Sequence, residues 1–201
     1  MAVTSKTDIC NLAQDLLSGD VVLDIDNPDT AVEEMLARWY DQSRLKILRS
    51  HPWHFATKRA ILAASSTAPA FGYTTAFPMP NDFVRLLSIE TDEGVMIDST
   101  NYQFEGNQIL MDSDSGAVRL RYIYDIEDVS LFDAMFISYL SLEVALSTAY
   151  KMTESNGSAQ RVAELEKQSA SMAKAISGQE RPPTRIRRSR NRQARLSTST
   201  S

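Results

Sequence analysis

The apolar residues of this chain change period twice, and that restricts the fold more than any single motif. In residues 4–17, Ile9, Leu12, Ala13, Leu16 and Leu17 recur at three- and four-residue steps, so they share one helical face. Thr4 or Ser5 caps the start, and Gly19 stands at the C′ position. A short extended link, 21–25, follows. Asn27 before Pro28 suits an N-cap and a first helical turn, with Asp29, Glu33 and Glu34 near the positive end of the dipole. Val32, Met35, Leu36, Trp39, Tyr40 and Ile47 form the buried stripe of this second helix, and Pro52 stops it.

The centre then loses the helical period. Residues 53–63 read as a strand leading away from the helix, 73–77 as a short strand, and 83–90 as a strand rich in branched residues. Glu93-Gly94 looks like a turn with 95–97 returning, and Gly106-Asn107 joins 102–105 to 108–111 as a hairpin. Residues 117–124 alternate, with Val118, Leu120, Tyr122 and Tyr124 on one face. After them the helical period returns. Ser130 with Asp133 resembles a capping box, and 131–152 is apolar on most faces, as a central buried helix would be. Residues 155–158 break it. A more polar helix, 159–176, carries the thin seam Val162, Leu165, Met172 and Ile176, and Gly178 ends it. The reading is an α+β fold: a helical bundle of about four helices with a small antiparallel β-sheet inserted between helices 2 and 3, plus a flexible C-terminal arm. The divisions are 1–52, the N-terminal helical part; 53–128, the inserted β domain; 129–178, the helices completing the bundle; and 179–201, the basic arm.

Charge is split along the chain. The net formal charge is −5. Residues 181–201 hold Arg181, Arg185, Arg187, Arg188, Arg190, Arg192 and Arg195 and no acid, so they carry +7. The remaining 14 basic residues face 26 acidic ones, a net of −12. An acidic body argues against a main surface that grips nucleic acid, while the arm suits a polyanion or an acidic groove on a partner protein. Seven arginines without interleaved aromatics favour docking that orders on assembly over base stacking. The longest uncharged stretch expected to be helical, 134–142, is far short of the ~20 residues a bilayer needs. Residues 1–6 carry no apolar run of signal-peptide length, and one cysteine permits no internal disulfide, so a reducing, cytosolic site of synthesis is expected.

Each candidate for chemistry meets a structural alternative. His51 and His54 have metal-pair spacing but no third or fourth ligand nearby, and Trp53 and Phe55 between and beside them read as a packing corner from helix to sheet. Cys10 on the first helix lacks a histidine in its neighbourhood and reads as a small buried hydrophobe. Asp24, Asp26 and Asp29 resemble part of a calcium loop, but its sixth and twelfth places hold Asp29 and Met35 rather than glycine and glutamate. Asp125, Glu127 and Asp128 suit a charged approach to a helix N-terminus, with a metal-dependent hydrolase as the competing reading. No phosphate-cradling glycine motif and no nucleophile elbow is present. No catalytic residue, metal or cofactor is expected.

Three segments carry a family resemblance: Arg-Ser-His-Pro-Trp-His-Phe at 49–55, Phe-Pro-Met-Pro-Asn-Asp-Phe-Val-Arg at 77–85, and Tyr-Ile-Tyr-Asp-Ile-Glu-Asp at 122–128, leading into the helix to 150. In this order, over roughly 150 residues with a polar C-terminal extension, the chain resembles the head-to-tail adaptors of short-tailed phages, also called tail tubular protein A or tail accessory factor. The arm is more basic than the resemblance requires. The resemblance implies a non-enzymatic virion protein at the head–tail junction, made in the host cytoplasm. It also implies a ring of about twelve copies beneath the portal, closed by heterologous interfaces. Its partners would be the portal, a distal nozzle or fibre protein, and DNA sliding past acidic walls without sequence-specific binding. The arginines of the arm would dock on the portal. The competing function is a small DNA-binding regulator that uses the arm.

Overall fold

The structure is a computed structural model that describes residues 3–153 and 156–179. The element order is α1 (Lys6–Leu17), α2 (Ala31–Ser50), β1 (Thr57–Ala63), β2 (Thr75–Pro78), β3 (Phe83–Thr91), β4 (Tyr102–Glu105), β5 (Gln108–Met111), β6 (Ala117–Tyr124), α3 (Ala134–Thr153) and α4 (Asn156–Gln179). The fold is α+β, and among the described residues the strands all lie between the second and third helices. They form two antiparallel sheets, ordered β1-β6-β3 and β2-β5-β4, where the sequence reading expects one. No helix among the described residues is long and apolar enough to cross a membrane.

Local chemistry explains the helix ends, and several differ from the sequence expectation. Ser5 caps α1 in a full capping box with Asp8. At the other end Ser18, not Gly19, takes the left-handed conformation (φ 56°), and the Gly19 N–H bonds back to the Gln14 carbonyl at 3.0 Å. The start of α2 is not at Asn27-Pro28. Thr30 caps it, and the Glu33 carboxylate accepts the N–H groups of Thr30, Asp29 and Leu23 at 3.0, 3.0 and 3.1 Å. These bonds, the one from Leu23 first, hold the Glu33 carboxyl below its ordinary range. Ser130 does not cap α3. Asp128 caps a single 3-10 turn, Val129–Leu131, and the Asp133 carboxylate accepts the Met135 N–H at 2.8 Å as α3 begins. α3 ends at Thr153, beside the expected break, but α4 starts at Asn156, three residues before the expected 159, and runs past Gly178.

Two cores sit side by side. The larger joins α1, α2, α3 and α4 through Ile9, Leu36, Tyr40, Ile47, Phe136, Val144 and Val162, and takes in Val84 and Ile123 from the sheet. The smaller lies between the two sheets and holds Leu62, Phe77, Ile89, Ile109, Met111, Val118, Leu120 and Tyr122. β6 contributes to both, because alternate side chains of a strand point to opposite faces. β3 contributes to both through irregularities. Its register against β6 slips between Phe83 and Arg85 and again between Leu86 and Ser88. The extra residues, Val84 and Leu87, turn toward the helices, while Phe83, Leu86 and Ile89 stay with the sheet core.

Two other details depart from the sequence reading. Residues 53–56 form a corner rather than the start of β1. Residues 95–97 make one isolated bridge, Glu90 to Met96, instead of a full return strand. The turns themselves need glycine: Gly94 and Gly106 have φ of 80° and 54°.

Candidate functional site

The three segments 49–55, 77–85 and 122–128 lie far apart in the chain and meet at one place, the joint between the helices and the sheets. α2 delivers Arg49 there. Its guanidinium donates to the Val84 carbonyl at 2.8 Å, and Arg85 donates back to the Arg49 carbonyl at 3.0 Å, so the end of α2 and the start of β3 clamp each other. Pro52 ends the helix, and Trp53 turns inward, fully buried, its indole N–H donating to the Ile47 carbonyl at 2.9 Å. Phe136 of α3 meets Trp53 at 5.1 Å and Phe55 at 5.0 Å, both edge to face.

The third segment closes the joint. The Tyr122 hydroxyl donates to Asp82 at 2.9 Å, and Lys58 donates to the other oxygen of Asp82 at 2.6 Å. The Asp125 N–H donates to the Asp82 carbonyl at 2.8 Å. Burial pushes the Asp82 carboxyl up, but the bonds from Lys58 and Tyr122 outweigh it and leave the group below its ordinary value. Beneath lies Arg44, 2 % exposed, which pairs with Asp125 and donates to the Ile126 carbonyl at 2.7 Å. The carboxylates of this joint hold elements together. Arg44 escaped the sequence reading, although a visible signal existed: it continues the buried α2 series Leu36, Tyr40 at a four-residue step.

A second feature is the outer face of β1-β6-β3. Arg59 stands directly across from Arg121, and Arg119 lies two residues along β6, beside Ile61 and Glu90 in register. Together they line a shallow groove of about 340 Å³. Like charges opposite one another across a ladder are unfavourable. The β2-β5-β4 sheet contains no lysine or arginine. A third feature is a wider groove of about 560 Å³ between the edge strands β3 and β4, lined by Phe83, Tyr102 and Phe104 among others.

The remaining sequence candidates fall as follows. His51 and His54 pack edge-on against Trp53 and Phe55. Cys10 is fully buried, and its thiol is pushed up to about 12 by burial first and the charge of Asp41 second, so it is protonated at neutral pH. Asp24 accepts the N–H groups of Asp26 and Asn27 and the Asn27 side chain, a local turn. Asp128 accepts both groups of Ser130. Among the described residues no group of three or more His, Cys, Asp or Glu is placed to hold a metal ion. Arg181, Arg185, Arg187, Arg188, Arg190, Arg192 and Arg195 lie outside the described residues. No protein-family model and no curated protein matches this chain.

Proposed function

We propose that this chain is a structural subunit of a phage head–tail junction, a head-to-tail adaptor that stands as a ring under the portal, extends the DNA channel and supports tail assembly. One observation carries the reading. The three segments that make the chain resemble such adaptors pack against one another as a single joint, through Arg49, Val84, Arg85, Asp82, Tyr122 and Asp125. A resemblance scattered over an unrelated fold would have no reason to converge in space. The joint ties the end of α2 to the start of β3 and the end of β6, which suits a subunit whose sheet unit and bundle must hold together in a ring. In this reading the chain catalyses nothing, and the arginines of residues 181–201 bind the portal, ordering as they dock.

The test is quantitative mass spectrometry of purified virions of the phage that encodes the chain. About one copy per portal subunit is expected, as a stoichiometric ring demands. Absence from mature particles overturns the reading and turns attention to the arm as a DNA-binding device. Removal of residues 181–201 is expected to abolish portal attachment and leave the body folded, which circular dichroism checks.

A further inference from the structure

We infer that the α1–α2 link of one copy docks on the arginine face of a second copy of this chain, head to tail. The inference rests on the adaptor reading only for the closure of such contacts into a ring. Both patches set strongly exposed aliphatic side chains beside charges of opposite sign. On the link, Leu23 is 88 % exposed and Val21 72 %; on the arginine face, Ile61 is 70 % exposed.

The link is held rigid in this conformation. The Val22 N–H and carbonyl both bond the Asn11 side chain, at 2.9 and 3.0 Å, while Val22 and Ile25 are buried. The Leu23 N–H is held by Glu33, and the Ile25 N–H bonds the Thr7 hydroxyl at 3.3 Å. Val21 and Leu23 therefore point outward on a backbone that is already ordered, which lowers the entropic cost of contact.

The charges match. Residues 7–37 contain eight acids and no lysine or arginine, and Asp20 and Asp24 flank the exposed pair, while Asp26 just beyond them meets Lys6 at 3.5 Å. Arg59, Arg119 and Arg121 flank Ile61 on the other patch. Arg119 meets Asp92 at 3.4 Å, but both are half exposed or more, so that pair competes weakly. The link leans on Glu33 in the first turn of α2, and the arginine face follows the last turn, about 25 Å of helix away. Two-fold pairing of like on like would set acid on acid or arginine on arginine, so the complementary contact seats link on face; made once between successive copies it is heterologous and propagates until it closes, whereas made twice within one pair it stops at a dimer.

The experiment uses the full chain and two variants changed only at exposed positions. Arg59→Glu/Arg119→Glu removes the acceptor face and keeps the link. Val21→Asp/Leu23→Asp removes the link's apolar pair and keeps the face. Sedimentation velocity is run at about 0.5 mM and about 0.05 M salt, where screening is weak. Wild type is expected to form species larger than dimers. Each variant alone is expected to stay monomeric, and their mixture to stop at a 1:1 dimer, since only one functional link and one functional face remain. Circular dichroism confirms that the variants fold. Raising salt to about 0.5 M is expected to weaken wild-type association about tenfold or more.

A monomeric wild type, a variant that assembles like wild type, or a mixture without a dimer overturns the contact. A 20-base-pair duplex that binds wild type but not the arginine variant, without self-association, assigns the face to a polyanion and also overturns it. Particle stoichiometry near one copy per portal subunit together with any of these results keeps the adaptor reading and discards this interface.

Discussion

The helical bundle and the sheet unit are stabilised differently. The bundle core runs through all four helices and reaches into the sheet to collect Val84 and Ile123. The sheet core is a separate cluster of eight buried residues drawn from five short strands. A core that small leaves little surplus over the conformational entropy of the strands around it. What compensates is sharing: β3 and β6 hand alternate or bulged residues to the bundle, so the sheets are anchored along two of their strands. The lesson is that the joint, more than either core, sets whether the molecule behaves as one cooperative unit.

The strongest way to break that relation is at the corner. Trp53→Ala removes a fully buried ring and the indole bond to Ile47, and is expected to cost about 3–5 kcal/mol. Urea unfolding followed by circular dichroism measures the loss. Amide exchange at Leu120 is expected to accelerate with exchange at Leu140, since both regions depend on the corner; acceleration confined to one region contradicts the shared joint.

Asp125→Ala is expected to cost about 2 kcal/mol, because it removes the nearest carboxylate of the buried Arg44 and leaves it Asp41 at 3.7 Å, Glu127 at 4.0 Å and the Ile126 carbonyl. Asp125→Asn, which keeps an acceptor, is expected to recover part of that loss in the same titration.

Ile109→Val sharpens the comparison from the other side. It removes one methylene from the sheet core, at about 1 kcal/mol. Faster exchange in β5 and β6 with unchanged exchange in α1 would show that the sheet opens locally while the bundle holds.

The smallest expected effect is pH dependence at Asp82. Its carboxyl lies below the unfolded value of 3.8, so the ionised form stabilises the fold above that pH. The contribution is lost as pH falls through the folded value. Asp82→Asn is expected to flatten the stability profile below about pH 4, with little change in its slope near neutrality.

Much of the fold could be read from residue order. The three-and-four spacing of Ile9, Leu12, Ala13, Leu16 and Leu17 located α1, although Leu12 and Leu16 stand exposed at the edge of its buried face, and the alternation of Val118, Leu120 and Tyr122 located β6 and its buried face. The same alternation puts Arg119 and Arg121 on the opposite face of the strand. Thr30-x-x-Glu33 was likewise a legible capping box, overshadowed by the nearer Asn27-Pro28. The joint was not legible. Nothing near Asp82 in sequence announces Lys58, Tyr122 and the Asp125 N–H as its partners.

By itself the sequence determined the order and type of the elements, the insertion of the strands between the second and third helices, and the split between an acidic body and a basic terminal run. Each depends on period, composition or local hydrogen bonding, which span a few residues. Long-range packing set the rest: the strands form two sheets, Trp53 turns inward as a corner, and β3 bulges twice to serve two cores. Those outcomes depend on which distant segments pair and which surfaces meet. They follow from burying apolar area and satisfying buried polar groups across the whole chain at once.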